Sequence, residues 1–130
     1  MNHRGAETQR DELTGQVIGL AIEVHRELGP GLLESIDESC LCYELENAGL
    51  RIQRQVALPV EYKALRFGPG YRVDVIVEDA LLMELKAVET LLPVHEAPLL
   101  TYMKLTGLRK GLLLNFNVPV LKDGIKRRVL

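Results

Sequence analysis

The 130-residue chain is expected to fold as an α/β protein, a mixed sheet flanked by helices. Three features carry that reading. Two helical periodicities open the chain, two runs of period-two alternation flank a polar turn near its centre, and a further helical stretch leads into a short continuous apolar run. The implied order is α-α-β-β-β-α-β, followed by a basic tail.

From Glu12 to Leu28 the apolar residues Leu13, Val17, Leu20, Ala21, Val24 and Leu28 recur at three and four, which describes an amphipathic helix. It ends at Gly29-Pro30-Gly31, where glycine suits the cap and proline cannot continue the helix. A second helix is expected from Leu32 to Ala48, with Leu33, Ile36, Cys40, Leu41, Leu45 and Ala48 inward and Glu34, Asp37, Glu38 and Glu44 outward. Ile52 to Lys63 alternates as a strand, and Pro59 makes it broken, bulged or an edge. Leu65 to Gly70 reads as a turn. Pro93 to Thr106 is helical, with Pro98 expected to start or bend the ordered helix and to carry Tyr102 with it. Gly111 to Phe116 is short and apolar enough to be a strand buried on both faces, and Ile125 to Leu130 a final edge strand.

With 47% hydrophobic residues the chain can bury one sizeable core, so a single domain over residues 1–130 is expected, with the first ten residues frayed. No window of about 18 apolar residues occurs, and the N-terminus lacks an apolar leader. The expectation is a cytoplasmic protein with no membrane partner. A net charge of -2 argues against coating nucleic acid by bulk electrostatics. A local basic cluster, Lys122, Lys126, Arg127 and Arg128, still offers a phosphate-contacting surface. Cys40 and Cys42 sit two apart in a helix, which turns them to different sides as packing thiols. No spacing among His3, His25 and His95 points to zinc.

The central hairpin carries the chemistry. Val73, Val75 and Val77 alternate with Arg72, Asp74 and Ile76; Leu81, Met83 and Leu85 alternate with Leu82, Glu84 and Lys86. A three-residue turn, Glu78 to Ala80, sets Val77 against Leu81, Asp74 against Glu84 and Arg72 against Lys86, all four charged groups on one face. Opposed carboxylates repel, and a hard divalent cation relieves them. Mg²⁺ needs only one or two protein carboxylates beside water and phosphate oxygens. Lys86 would then orient an attacking water or balance charge on a phosphate. Spacing alone also fits a plainer arrangement, a solvated strand face with Arg72 neutralising the acids.

Asp74 followed by Glu84-Leu85-Lys86 resembles the signature of the PD-(D/E)XK nuclease superfamily, an acid on one strand and Glu-x-Lys on the next. Leu28-Gly29-Pro30-Gly31-Leu32-Leu33-Glu34 and Gly111-Leu-Leu-Leu-Asn-Phe are similar to the small bacterial GxxExxY proteins of that superfamily. The likeness runs from about Leu13 to Leu130. It implies a restriction-endonuclease-like fold and a Mg²⁺-dependent nuclease, with Mn²⁺ as a substitute and DNA or RNA as partner. Asp74 and Glu84 would hold the metal, joined by the Leu85 carbonyl and by Glu34, and Lys86 would assist the water. Gln55 and Tyr102 correspond to polar positions lining the family's cleft, although an exposed strand residue explains Gln55 equally well. The family's recurrent His-Arg pair before Gly-Pro-Gly brings in His25 and Arg26 as phosphate contacts; placement near a helix C-terminus gives His25 a structural role as well. Asp37 stands where the motif has tyrosine, and Pro98 where the crossover helix has glutamine. Two other outcomes stay open: a silent nuclease-fold module binding nucleic acid or protein, and a homodimeric or larger structural assembly whose acids only form ion pairs.

Overall fold

A computed structural model describes the backbone of residues 3–130 and the side chains of residues 12–130, Pro69 excepted. Met1 and Asn2, part of the stretch expected to fray, lie outside the described residues. Two helices, α1 (His3–Leu28) and α2 (Glu34–Asn47), precede three strands, β1 (Ile52–Tyr62), β2 (Leu65–Val77) and β3 (Leu81–Lys86). Helix α3 (Pro93–Thr106), β4 (Lys110–Asn115), a 3₁₀ turn (Leu121–Gly124) and β5 (Ile125–Val129) complete the chain.

The strands form one five-stranded sheet in the order β1-β2-β3-β4-β5. Only β3 and β4 run parallel, joined by the α3 crossover. The core is split by the sheet. On one face Val75, Val77, Leu81, Met83 and Leu85 pack against Val17, Ala21, Leu41 and Leu45 of α1 and α2. On the other, Val73, Ile76, Leu82 and Leu113 pack against Leu99, Tyr102 and Met103 of α3. Strands β3 and β4 therefore bury both faces, which is why their sequences read as apolar runs. β1 lies at an edge, and its register shifts between Leu58 and Val60, where Pro59 has no N–H to give.

Four expectations are corrected. Helix α1 is described from His3, well before Glu12, because the added residues include strong helix formers such as Ala6, Glu7, Gln9 and Arg10. Leu65 to Gly70 is strand, and the turn contracts to Lys63-Ala64 with Lys63 at φ 52. Apolar partners across the strands, Tyr62 with Leu65 and Val60 with Phe67, extend the pairing. Gly70 permits it: a Cβ there would lie 2.1 Å from Val60 Cγ2. Helix α2 is rolled relative to its expected face, burying Asp37 and Glu38 while Leu33 and Ile36 are exposed. Leu41, Cys42 and Leu45 set the buried stripe, and Glu38 finds partners on β1.

The fourth concerns Pro98, which lies inside α3 and does not begin it. Pro93 at the helix start and His95, whose Nδ1 accepts the Leu92 N–H at 2.9 Å, establish the N-terminus five residues earlier. Pro98 thus forfeits one helical hydrogen bond in the second turn without displacing the start. Tyr102 remains buried on the sheet-facing side.

Candidate active site

The central hairpin turns as expected. Glu78 and Asp79 take left-handed backbone, φ 54 and φ 50, and Ala80 N–H donates to the Val77 carbonyl at 3.0 Å. Arg51 holds the corner through its backbone N–H and its Nε, 2.7 Å and 3.1 Å from Glu78 Oε2. The β2–β3 ladder then runs Val77 to Leu81, Ile76 to Leu82 and Val75 to Met83, and stops.

Beyond it the two acids take over from the backbone. Asp74 N–H donates to Glu84 Oε2 at 2.8 Å, and Leu85 N–H donates to Asp74 Oδ2 at 2.8 Å. Each carboxylate thus satisfies the main chain of the opposite strand in place of a ladder carbonyl. Asp74 and Glu84 come together as the register implied. Arg72 and Lys86 do not: Arg72 pairs with Ala57 of β1, because the carboxylates end the pairing that would have brought it to Lys86.

A second irregularity lies beside Asp74. Gln55 has φ 50, and across it the side-chain alternation of β1 breaks. Ile52 packs with the α1–α2 core, whereas Val56 and Leu58 pack with the α3 core. β2 switches in step, with Val75 on the first side and Val73 on the second. As a result the consecutive residues Arg54 and Gln55 both reach α2, Arg54 Nη2 to Glu38 Oε2 at 2.9 Å and Gln55 Nε2 to Glu38 Oε1 at 2.7 Å. Gln55 Nε2 also lies 3.4 Å from Asp74 Oδ1. Glu38 was not singled out by sequence. Its spacing of four from Glu34 on one helix face is the signal that would have found it.

The electrostatics of the cluster follow from burial. Glu84 is 5% exposed, and burial, reinforced by the neighbouring Asp74 charge, pushes its carboxyl up to about 8. Burial also raises Asp74, against the Leu85 N–H, which favours its charged form. Lys86, half-buried, opposes the rise at Glu84, Asp74 and Glu34 alike, so its ammonium faces all three. Glu34 stands at the exposed rim, in the first turn of α2. Tyr102 closes the α3 side, its phenol raised by burial and then by Glu84, with the Arg72 N–H hydrogen-bonded to it and Tyr71 edge-on at 5.5 Å.

Other predicted residues are placed elsewhere. His25 is buried, its Nε2 2.7 Å from the Val118 carbonyl and its ring tilted on Phe116, which is packing and leaves little surface for a phosphate. Arg26 is exposed and, with Lys122, lines a cavity of about 450 Å³ at the end of α1. Lys126, Arg127 and Arg128 lie on β5, two strands from Glu84, and Arg128 is ion-paired with Glu96 of α3. Asp37, in the motif's tyrosine position, is buried with Oδ1 lacking a hydrogen bond, and burial raises its carboxyl. Cys42 is a buried thiol pushed up to about 11 and Cys40 is half-buried, in keeping with packing roles. Asn115, unremarked in the sequence, ties the chain after Lys86 to β4: its Oδ1 accepts the Val88 N–H at 3.0 Å and its Nδ2 donates to the Val88 carbonyl at 2.9 Å.

The donor set fits a hard divalent cation. Asp74 Oδ2 and Glu84 Oε2 are committed to backbone N–H groups, which leaves Asp74 Oδ1 and Glu84 Oε1 for another partner. A strand residue's N–H and C=O point the same way, so the Leu85 carbonyl also faces the gap where the ladder ends. Among the described residues no three His, Cys, Asp or Glu side chains gather to enclose an ion. Two carboxylates and a carbonyl, completed by water and phosphate oxygens, match the way Mg²⁺ is commonly held.

No helix among the described residues is long and apolar enough to cross a membrane. No curated protein and no solved structure matches the chain. A family model described as the PD-(D/E)XK nuclease superfamily matches residues 11–128. That match takes in both core helices, the whole sheet and the Asp74, Glu84-Leu85-Lys86 constellation, and the chain belongs to the PD-(D/E)XK nuclease superfamily.

Proposed function

We propose that this protein hydrolyses phosphodiester bonds of DNA or RNA with a divalent metal, Mg²⁺ by preference and Mn²⁺ as a substitute, at the Asp74, Glu84, Lys86 cleft. The observation that carries the reading is the pair of carboxylates at the broken end of the β2–β3 ladder, with Glu84 buried and raised to about 8. Holding two acids together in a covered gap is costly unless a cation joins them. Membership of a superfamily whose nucleases generally use divalent metals points the same way. Within it we place the chain with the GxxExxY proteins, on Gly31-Leu32-Leu33-Glu34 and Gly111 to Phe116.

Asp74 Oδ1, Glu84 Oε1 and the Leu85 carbonyl would hold the ion, which when bound would lower the pKa of water and neutralise phosphate charge. Lys86 directs its ammonium into the same gap, where it orients the attacking water and balances charge on the phosphate. Glu34 at the rim holds that ammonium in place through its opposite charge. Glu38 and Gln55 fix Asp74 from the α2 side, and Tyr102 walls off Glu84 from the α3 side. Asn115 steadies the exit of β3 and so the reach of Lys86.

One observation favours a second reading, a catalytically silent module: both acids already serve the backbone, as structural carboxylates would. Calorimetric titration with Mg²⁺ and Mn²⁺, paired with cleavage assays on single- and double-stranded DNA and RNA, separates the two. Asp74→Asn and Glu84→Gln should lose metal binding and cleavage while remaining folded. Wild-type protein that takes up no metal, or variants that bind it unchanged, would assign the acids to structure.

A further inference from the structure

Between the cleft and the far end of the sheet the β1–β2 pair stands alone. β3 pairs with β2 only from Val75 to Val77, so Val56–Tyr62 and Leu65–Val73 continue as a two-stranded arm. A two-stranded ribbon has no second layer of its own to bury an apolar face. Yet burial alternates along β1, with Val56, Leu58 and Val60 on the more covered side, and their partners are Val73, Tyr71 and Phe67. Val56, Val73 and Leu58 pack with the α3 core, which identifies that face. Further out it is left to solvent: Tyr71 is 38% exposed, Phe67 52%, Leu65 57% and Tyr62 60%.

We propose that this face is a stacking platform for the unpaired bases of a nucleic-acid strand entering the cleft, a reading that rests on the nuclease function for the identity of the strand. Continuity with the site is the first argument. Tyr71 packs edge-on against Tyr102, the residue that walls Glu84, so the row of rings begins where the chemistry would occur. Charge is the second: Lys63, Arg66 and Arg72 against Glu61 leave the arm two charges positive in a chain of net charge -2. Aromatic rings interleaved with cations are the surface that single strands use, because every base has a π-face and every nucleotide a phosphate. Rigidity is the third. Gly70 closes on Val60, and Lys63 Nζ sits 5.3 Å from the Tyr62 ring centroid, so the rings are presented on a pre-set frame.

The test is fluorescence anisotropy in EDTA with labelled oligo-dT and oligo-rU of about 20 nucleotides, and with a duplex of the same length. The full chain should prefer the single strands. Phe67→Leu and Tyr62→Leu, which keep apolar area and remove the π-face, should each weaken that binding about tenfold, while Tyr62→Phe should bind as the parent does. Thermal unfolding and sedimentation of each variant check folding and self-association. Leucine variants that bind as tightly as the parent, a parent that binds no oligonucleotide, or an effect confined to self-association would each overturn the platform. Glu84→Gln, run in parallel, separates the two readings. Arm variants that bind normally beside a parent that cleaves remove the platform and leave the nuclease; lost binding in arm variants of a protein that takes up no metal does the reverse.

Discussion

The two ends of the β2–β3 hairpin are built from the same alternating pattern and behave differently. At the turn end Val75, Ile76 and Val77 face Met83, Leu82 and Leu81 in a regular ladder, with apolar side chains filling a core on each face. One residue further, Asp74 and Glu84 replace the ladder with carboxylate-to-amide bonds, and the backbone opens. The turn end gains by excluding water from apolar surface. The other end places charge where burial disfavours it, and that stored cost is what a bound cation would relieve. Stability and chemistry are thus adjacent on one hairpin, with a boundary between Val75 and Asp74.

Breaking the turn end should have the largest effect. Leu82→Ala, at a fully buried position, is expected to cost about 2–5 kcal/mol in urea unfolding, with metal affinity of the folded fraction unchanged. Loss of metal binding without loss of stability would erase the boundary. At the other end Lys86→Met should lower the cleavage rate on the order of a hundredfold while leaving the unfolding midpoint nearly unmoved. A large stability loss there would make Lys86 structural.

The next effect is a slope. Folded Glu84 keeps its proton up to about 8, whereas in the unfolded chain it gives the proton up near 4.5. The folded state therefore binds more protons between these values, and metal-free stability should fall as pH rises from about 4.5 to about 8. Asp74, also raised, adds to the same trend at its lower end. Metal affinity should run the opposite way, rising toward pH 8 as the ion displaces the proton. Glu84→Gln should flatten the stability slope; a slope unchanged in that variant would place the titrating group elsewhere. The smallest effect is expected at the exposed turn, where Glu78→Gln removes a solvated pairing with Arg51 and should scarcely shift the melting temperature.

Much of the fold was legible because it depends on local rules. The three-residue turn, the parity that brings Asp74 to Glu84, the edge position of the Pro59 strand and the doubly buried β4 all follow from alternation, composition and proline's missing donor. The errors cluster where two elements negotiate. Pro98 was weighed by its own cost, without the start signals at Pro93 and His95. Helix α2 was oriented by counting apolar residues, whereas its Glu38 is buried because Arg54 and Gln55 stand ready to bind it.

The sequence by itself determined the order of elements, the central hairpin and the Asp74, Glu84, Lys86 set, since periodicity and register act over a few residues and need no knowledge of the rest. Tertiary structure alone decided that Gln55 leaves the strand alternation, that Glu38 joins the cluster, that His25 is packing and that the β5 cations lie two strands away. The reason is physical. A left-handed residue inside a strand and a buried carboxylate are both unfavourable in isolation, and each persists only through partners more than ten residues distant in the chain.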